Sequence, residues 1–248
     1  MRGDFFIFNI LLVQATNIRG VLINYSKKIN ISISNKRETK PGFNFYISIS
    51  NLLKHIWDSN MRKFIRKNIS AKKVTILFIL TNIVYVFMLT VTIPNVMQFS
   101  GGMDLLDMMP GGYNADYVKS LFDKLGDVGR NTYLYRQIPA DMIYPMLFAF
   151  AYPLLLGYIL NKLGNFESRL FYLCYIPMLS GLFDYLENIG IILMLRSYPE
   201  ISQGLIQTTS IFSVCKSIST TLFFVTLIVL LLILAVVKRK RQPNGSPL

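Results

Sequence analysis

Four runs of apolar residues punctuate the chain from residue 74 onward, at 74–93, 142–160, 171–195 and 206–237. Each is close to or above the roughly 20 residues that a helix needs to cross the hydrocarbon core of a bilayer. The pattern predicts an all-α four-helix transmembrane bundle. Pro94 closes the first run in this reading, and Pro139, Pro145 and Pro153 kink the second helical stretch. The polar piece 95–138 separates the first two spans. Within it Tyr117, Val118, Leu121, Phe122 and Leu125 recur at helical spacing, with Asn114 where an N-cap belongs and Gly126 where a C-cap belongs. The spacing predicts an extracytoplasmic amphipathic helix lying on the bundle or at the lipid interface. A second helical stretch from Val128 leads into span two.

Residues 1–60 have no sustained period. Ile29, Ile31 and Ile33 alternate with Asn30, Ser32 and Ser34, the pattern of one short strand. Two readings of this extension stay open. One is a signal peptide, with an apolar run from Phe5 to Val13 and a small-residue site at Val13-Gln14-Ala15; Asp4 counts against it. The other is a mis-assigned start, with the true one at Met61. The membrane domain is 61–241, and 242–248 reads as a disordered tail.

Composition agrees with the pattern: 52% of the 248 residues are hydrophobic and 16% charged, against about 25% in soluble domains. The net charge of +13 does not point to nucleic acid, because the basic residues bracket the apolar runs instead of lining one face. Arg62, Lys63, Arg66, Lys67, Lys72 and Lys73 precede span one, Lys162 and Arg169 lie between spans two and three, and Lys238-Arg239-Lys240-Arg241 follow span four. The positive-inside rule places these three segments, and both termini, in the cytoplasm, with the plasma membrane as the expected location. His55 is the one histidine and lies outside the spans, so histidine-based metal or nucleophile chemistry is excluded by inventory; no cofactor motif appears. Cys174 and Cys215 sit at different depths, too far apart to bridge.

Candidate chemistry lies inside the spans. Asp184, Glu187 and Asn188 stand at i, i+3 and i+4 and share one helix face. Thr209, Ser213, Lys216 and Thr220 form a polar stripe on the fourth span. At 1.5 Å per residue from the outer end, Glu187 lies about 13 Å deep, Lys216 about 15 Å, Asp184 about 17 Å and Asn82 of span one about 18 Å. Asp141 and Tyr144 sit nearer the outer surface of span two, with Arg136 close by. Intramembrane charges are costly and default to a functional hypothesis. Asp184, Glu187 and Lys216 are candidates for acid/base or anchoring roles, and Asn82, Asp141, Tyr144 and Asn188 for ligand contacts, around a polar chamber open to the outer side. The blander reading is a buried ion pair that fixes helix register. The outer-loop tyrosines Tyr113, Tyr117, Tyr133 and Tyr135 are expected in an aromatic belt, and the Met103–Met109 patch in interface packing.

Gly129-Arg130 with Tyr133, Asp141 with Tyr144-Pro145, the Asp184/Glu187/Asn188 set and a lysine in the last span together resemble a group of small four-span membrane proteins without an assigned activity. The resemblance covers 74–237. It implies the architecture and no reaction. Vitamin K-type quinone reductases need a CxxC, and sterol-isomerase-like bundles need an intramembrane histidine; this chain has neither. Three functions remain: binding or processing a lipid-like molecule, proton- or ion-coupled transport, and a structural or assembly role. Membrane lipid and a second copy of the chain are the expected partners.

Overall fold

A computed structural model describes residues 58–241, nearly all within the unit Asn60–Leu248. The strand, the signal peptide and the rest of 1–57 lie outside the described residues, as does the tail. Helical residues 58–68, here α1, lead to α2, Ala71–Phe87. Next come α3, Ala115–Thr132; α4, Ile138–Lys162; α5, Tyr175–Ser197; and α6, Gln203–Arg241. Among the described residues there is no strand. Four helical stretches, Ala71–Met97, Ala115–Lys162, Arg169–Ser197 and Gln203–Lys240, are long and apolar enough to cross a membrane, the build of a polytopic membrane protein.

Pro94 does not end the first span. A π turn at Met88–Thr92 precedes it, and the helix continues through Ile93–Met97. The same device recurs at Tyr133–Gln137, just before Pro139, and joins α3 to α4. Proline lacks an N–H and crowds the carbonyl four residues back. A widened turn before it relieves both demands, so the helix passes through where an α-helix would stop or kink.

Pro145 shows the other solution. Its missing N–H frees carbonyls one turn back, and α5 supplies donors. Asn188 Nδ2 donates to the Asp141 carbonyl at 3.0 Å and Tyr185 Oη to the Met142 carbonyl at 2.8 Å. Prolines are tolerated in membrane helices when neighbours re-satisfy the backbone in this way. The two helices approach closely because Gly181 faces Pro145: a Cβ there would lie 2.8 Å from the Pro145 carbonyl oxygen.

α4 packs against α2, α5 and α6, and α5 packs along the length of α6. Two apolar cores are stacked along the bundle. One, at the basic end, gathers Ile65, Phe148, Leu156, Phe166, Phe171 and Phe223. Arg62 fastens α1 there, donating to the Phe166 carbonyl at 2.8 Å with its guanidinium 4.1 Å from the Phe171 ring centroid. The other core, at the loop end, gathers Val96, Leu105, Leu106, Leu121, Phe122 and Ile191. There α3 lies on the bundle as its pattern predicts. Asn114 Oδ1 accepts from the Tyr117 N–H at 2.9 Å, and Val118, Leu121, Phe122 and Leu125 are buried. Gly126 breaks the helix with φ 57°. Arg130 bridges the break, donating to the Phe122 carbonyl at 2.7 Å and pairing with Asp127.

Candidate functional site

The polar groups of α4, α5 and α6 meet between the two cores. Lys216 Nζ lies 2.5 Å from Glu187 Oε2 and 3.4 Å from Asp184 Oδ1, so the ammonium pairs with both acids of the α5 face. Glu187 is fully buried and Asp184 nearly so. Asn188 is also fully buried, and its bond to the Asp141 carbonyl ties α5 to α4 at this level. Asp141, 4% exposed, lies within electrostatic reach of Asp184, Asp107, Lys216 and Glu187.

Asp107 was not anticipated. The segment 101–114 folds back over the site as a strap instead of leaving the chamber open. Lys216 Nζ donates to the Asp107 carbonyl at 3.1 Å, Ser213 Oγ to the Met109 carbonyl at 3.0 Å, and the Tyr113 N–H to Ser210 Oγ at 2.8 Å. The polar stripe of α6 is therefore a docking rail for backbone as well as a source of charge. Gly112, at φ +77°, lets the strap press against α6: a Cβ would meet Ser210 Oγ at 2.5 Å. Leu105 and Leu106, fully buried in the loop-end core, hold the strap down.

The Asp107 carboxylate is held in turn by the second π turn. Tyr133 Oη donates to Oδ1, and Gln137 Nε2 donates to Oδ2 at 3.2 Å. The first π turn closes the relay, because Thr92 Oγ1 donates to Gln137 Oε1. Both widened turns thus meet behind one carboxylate. π turns are frequent at functional sites because they re-aim side chains. Tyr133 is fully buried and belongs to this network, not to an aromatic belt; Tyr113, on the strap itself, is buried as well. Burial, with the Glu187 charge next in weight, pushes the Tyr113 phenol above its ordinary range, while Lys216 opposes them.

The remaining candidates divide. Tyr144 borders the site within electrostatic reach of Asp184 and Asp141, its ring stacked on Tyr85 at 5.3 Å between centroids. Asn82 does not join the cluster. Its Nδ2 donates to the Phe78 carbonyl of its own helix at 2.7 Å, and its polar neighbour on α4 is Tyr152. Depth along a helix fixes level but not azimuth, and Asn82 faces the aromatic seam between α2 and α4. Arg136 is exposed. On the basic side of the site Ser180 and Thr220 share a hydrogen bond at 2.5 Å, and beyond them Phe148, Tyr152 and Phe223 close the bundle.

Two imbalances define what the site can do. Three buried carboxyl groups, Asp141, Asp184 and Glu187, lie around one ammonium, a formal deficit of two positive charges, and the half-buried Asp107 carboxylate stands behind them on Tyr133 and Gln137. Acceptors also outnumber donors. Asp141 Oδ2, Glu187 Oε1 and Asn188 Oδ1 are buried without a hydrogen-bond partner among the described residues, and Glu187 Oε2 meets Lys216 as an ion pair without hydrogen-bond alignment. Buried polar atoms are rarely left so. Among the described residues no three acidic or other ligating side chains converge as a metal would require; the carboxyls are spread around Lys216. No protein-family model, curated protein or solved structure matches this chain.

Proposed function

We propose that this polytopic membrane protein carries a site for exchangeable positive charge, in which protons occupy the carboxyl cluster when no other cation does. One observation carries the reading: three buried carboxyls lie around a single ammonium, and Asp141 Oδ2, Glu187 Oε1 and the neighbouring Asn188 Oδ1 are unpaired. An uncompensated buried charge costs several kcal/mol even after relaxation, so a deficit of two is not held as bare charge. A purely structural ion pair would need one acid, not three. The aromatic closure on the basic side favours exchange with the loop side over conduction through the bundle.

Within this proposal the basic ends face the cytoplasm in the plasma membrane, lipid surrounds the exposed apolar faces of α2 and α6, and a second copy is a candidate partner. The resemblance to small four-span membrane proteins belongs to the same reading. A Lys63→Cys variant that reacts with an impermeant thiol reagent from outside intact cells would reverse the orientation. The functional test is a difference titration. Purified chain in lightly buffered micelles takes up protons as the solution is brought from weakly alkaline to weakly acidic, and Asp141→Asn and Glu187→Gln take up fewer. Superimposable curves for wild type and both variants would sink the reading.

A further inference from the structure

We infer that the site takes a primary alkylammonium, the protonated amine of an amphiphile, as its second cation. The inference rests on the charge-exchange reading above and gives it a ligand class. Lys216 already shows what the site recognises. Its ammonium sits on an alkyl stem and is met by the Asp107 carbonyl, Asp184 Oδ1 and Glu187 Oε2. Three further acceptors at the same level, Asp141 Oδ2, Glu187 Oε1 and Asn188 Oδ1, stand unpaired on residues at least nine-tenths buried. An ammonium has three N–H donors and no acceptor. It supplies the charge that the site lacks and three donors for those acceptors, where the buried Tyr113 hydroxyl, also unpaired, offers one. A quaternary ammonium brings the charge alone, and an alcohol brings one donor without the charge.

The alkyl tail has a route. The strap covers the loop end, but Tyr144 at the edge of the site stacks on Tyr85, which is 42% exposed on the lipid-facing side of α2. These rings form an apolar seam from the acids to the surrounding lipid, and aromatic faces tolerate a passing cation. Binding is an exchange. R–NH3+ enters, one carboxylic O–H bond breaks, and that proton leaves to solvent, so the net charge of the site is unchanged. The groups that face the exchanging carboxyls are Asp107 and Tyr113 of the strap, Tyr133 and Tyr144 of the α3–α4 helix, and Lys216 of α6.

The test uses the full chain in neutral detergent with three probes of equal tail: dodecylamine, dodecyltrimethylammonium and dodecanol. Dodecylamine raises the unfolding temperature and releases protons on binding, and the other two do neither. Asp141→Asn and Glu187→Gln each weaken the dodecylamine effect about tenfold or more. Equal effects of the three probes, or a dodecylamine effect untouched in both variants, overturns the inference. Should one variant fail to fold, the other and the probe series on wild type still decide. Wild type that takes up protons through these acids yet ignores dodecylamine refutes the ligand and leaves the charge-exchange reading standing. Absence of proton uptake refutes both.

Discussion

Removing Lys216 tests the energetic core of the site. In Lys216→Met the stem is replaced by a side chain of similar apolar reach, while the ammonium is lost. Two buried carboxylates then lose their counter-charge, at 2.5 Å and 3.4 Å, and the strap loses its bond to the Asp107 carbonyl. At an effective dielectric of 20 the Glu187 contact alone is worth roughly 6–7 kcal/mol of gross attraction. Desolvation of the lysine consumes much of that, and breaking one side of a buried pair costs about 3–5 kcal/mol net. The single variant is therefore expected to lose that much stability. Glu187→Gln in wild type should cost about 1–3 kcal/mol. In the Lys216→Met background the same change should cost less or stabilise, because it removes an unpaired acid. The cycle measured by denaturant unfolding in micelles should show at least about 1 kcal/mol of coupling, within the range for residues in contact. Additive single effects would mean that Lys216 and Glu187 do not share a charge, and the description of the site would fall with them.

Three further outcomes follow from local geometry. Gly190→Ala places a Cβ 2.5 Å from Thr209 Cγ2 and closer still to Oγ1; it should cost about 1–3 kcal/mol as an overpacked contact, partly recovered by Thr209→Ala, read by thermal unfolding. Asn188→Ala should cost about 1–2 kcal/mol in wild type, where it orphans the Asp141 carbonyl, and measurably less with Pro145→Ala, whose new N–H can take that carbonyl back. Asn114→Ala removes the cap on the Tyr117 N–H and should cost about 1 kcal/mol, with faster hydrogen exchange confined to the first turn of α3.

The architecture is legible in the sequence where the signal is local. Span length, the Asn114 cap, the Gly126 break and the 184/187/188 face each depend on a few neighbouring residues. The pairing of Lys216 is legible as well, because two polar stripes at equal depth on adjacent spans have few other places to go. Asp107 is not. It sits in a Met-rich loop among other aspartates, and its burial follows from a fold-back that no periodicity encodes; the glycine pairs on either side, Gly101-Gly102 and Gly111-Gly112, with the apolar Leu105-Leu106 between them, are the available hint. Tyr133 and Gln137 are missed for a different reason. A proline signals a kink at Pro139, and a π turn ahead of it, which carries the helix through and re-aims its side chains, leaves no mark in the residue pattern. Asn82 is misplaced because a depth count carries no azimuth.

That π turn bears on how the chain tolerates insertions and deletions. A π turn is an α-helix with one residue too many. Removing a single residue from 133–137 would give back an ordinary helix with both flanking shafts close to their present orientation, because the widened turn fits its extra residue into about the rotation and rise of an ordinary one. The α4 half is pinned in the bundle by Gly181 and Asn188, and α3 would keep its seat. Tyr133 and Gln137, inside the turn, would be re-aimed, and their bonds to Asp107 are what such a loss would disturb. The extra residue shifts the phase of the sequence while leaving the two shafts aligned, so a frame-preserving loss there would loosen the Asp107 anchorage and leave the bundle standing.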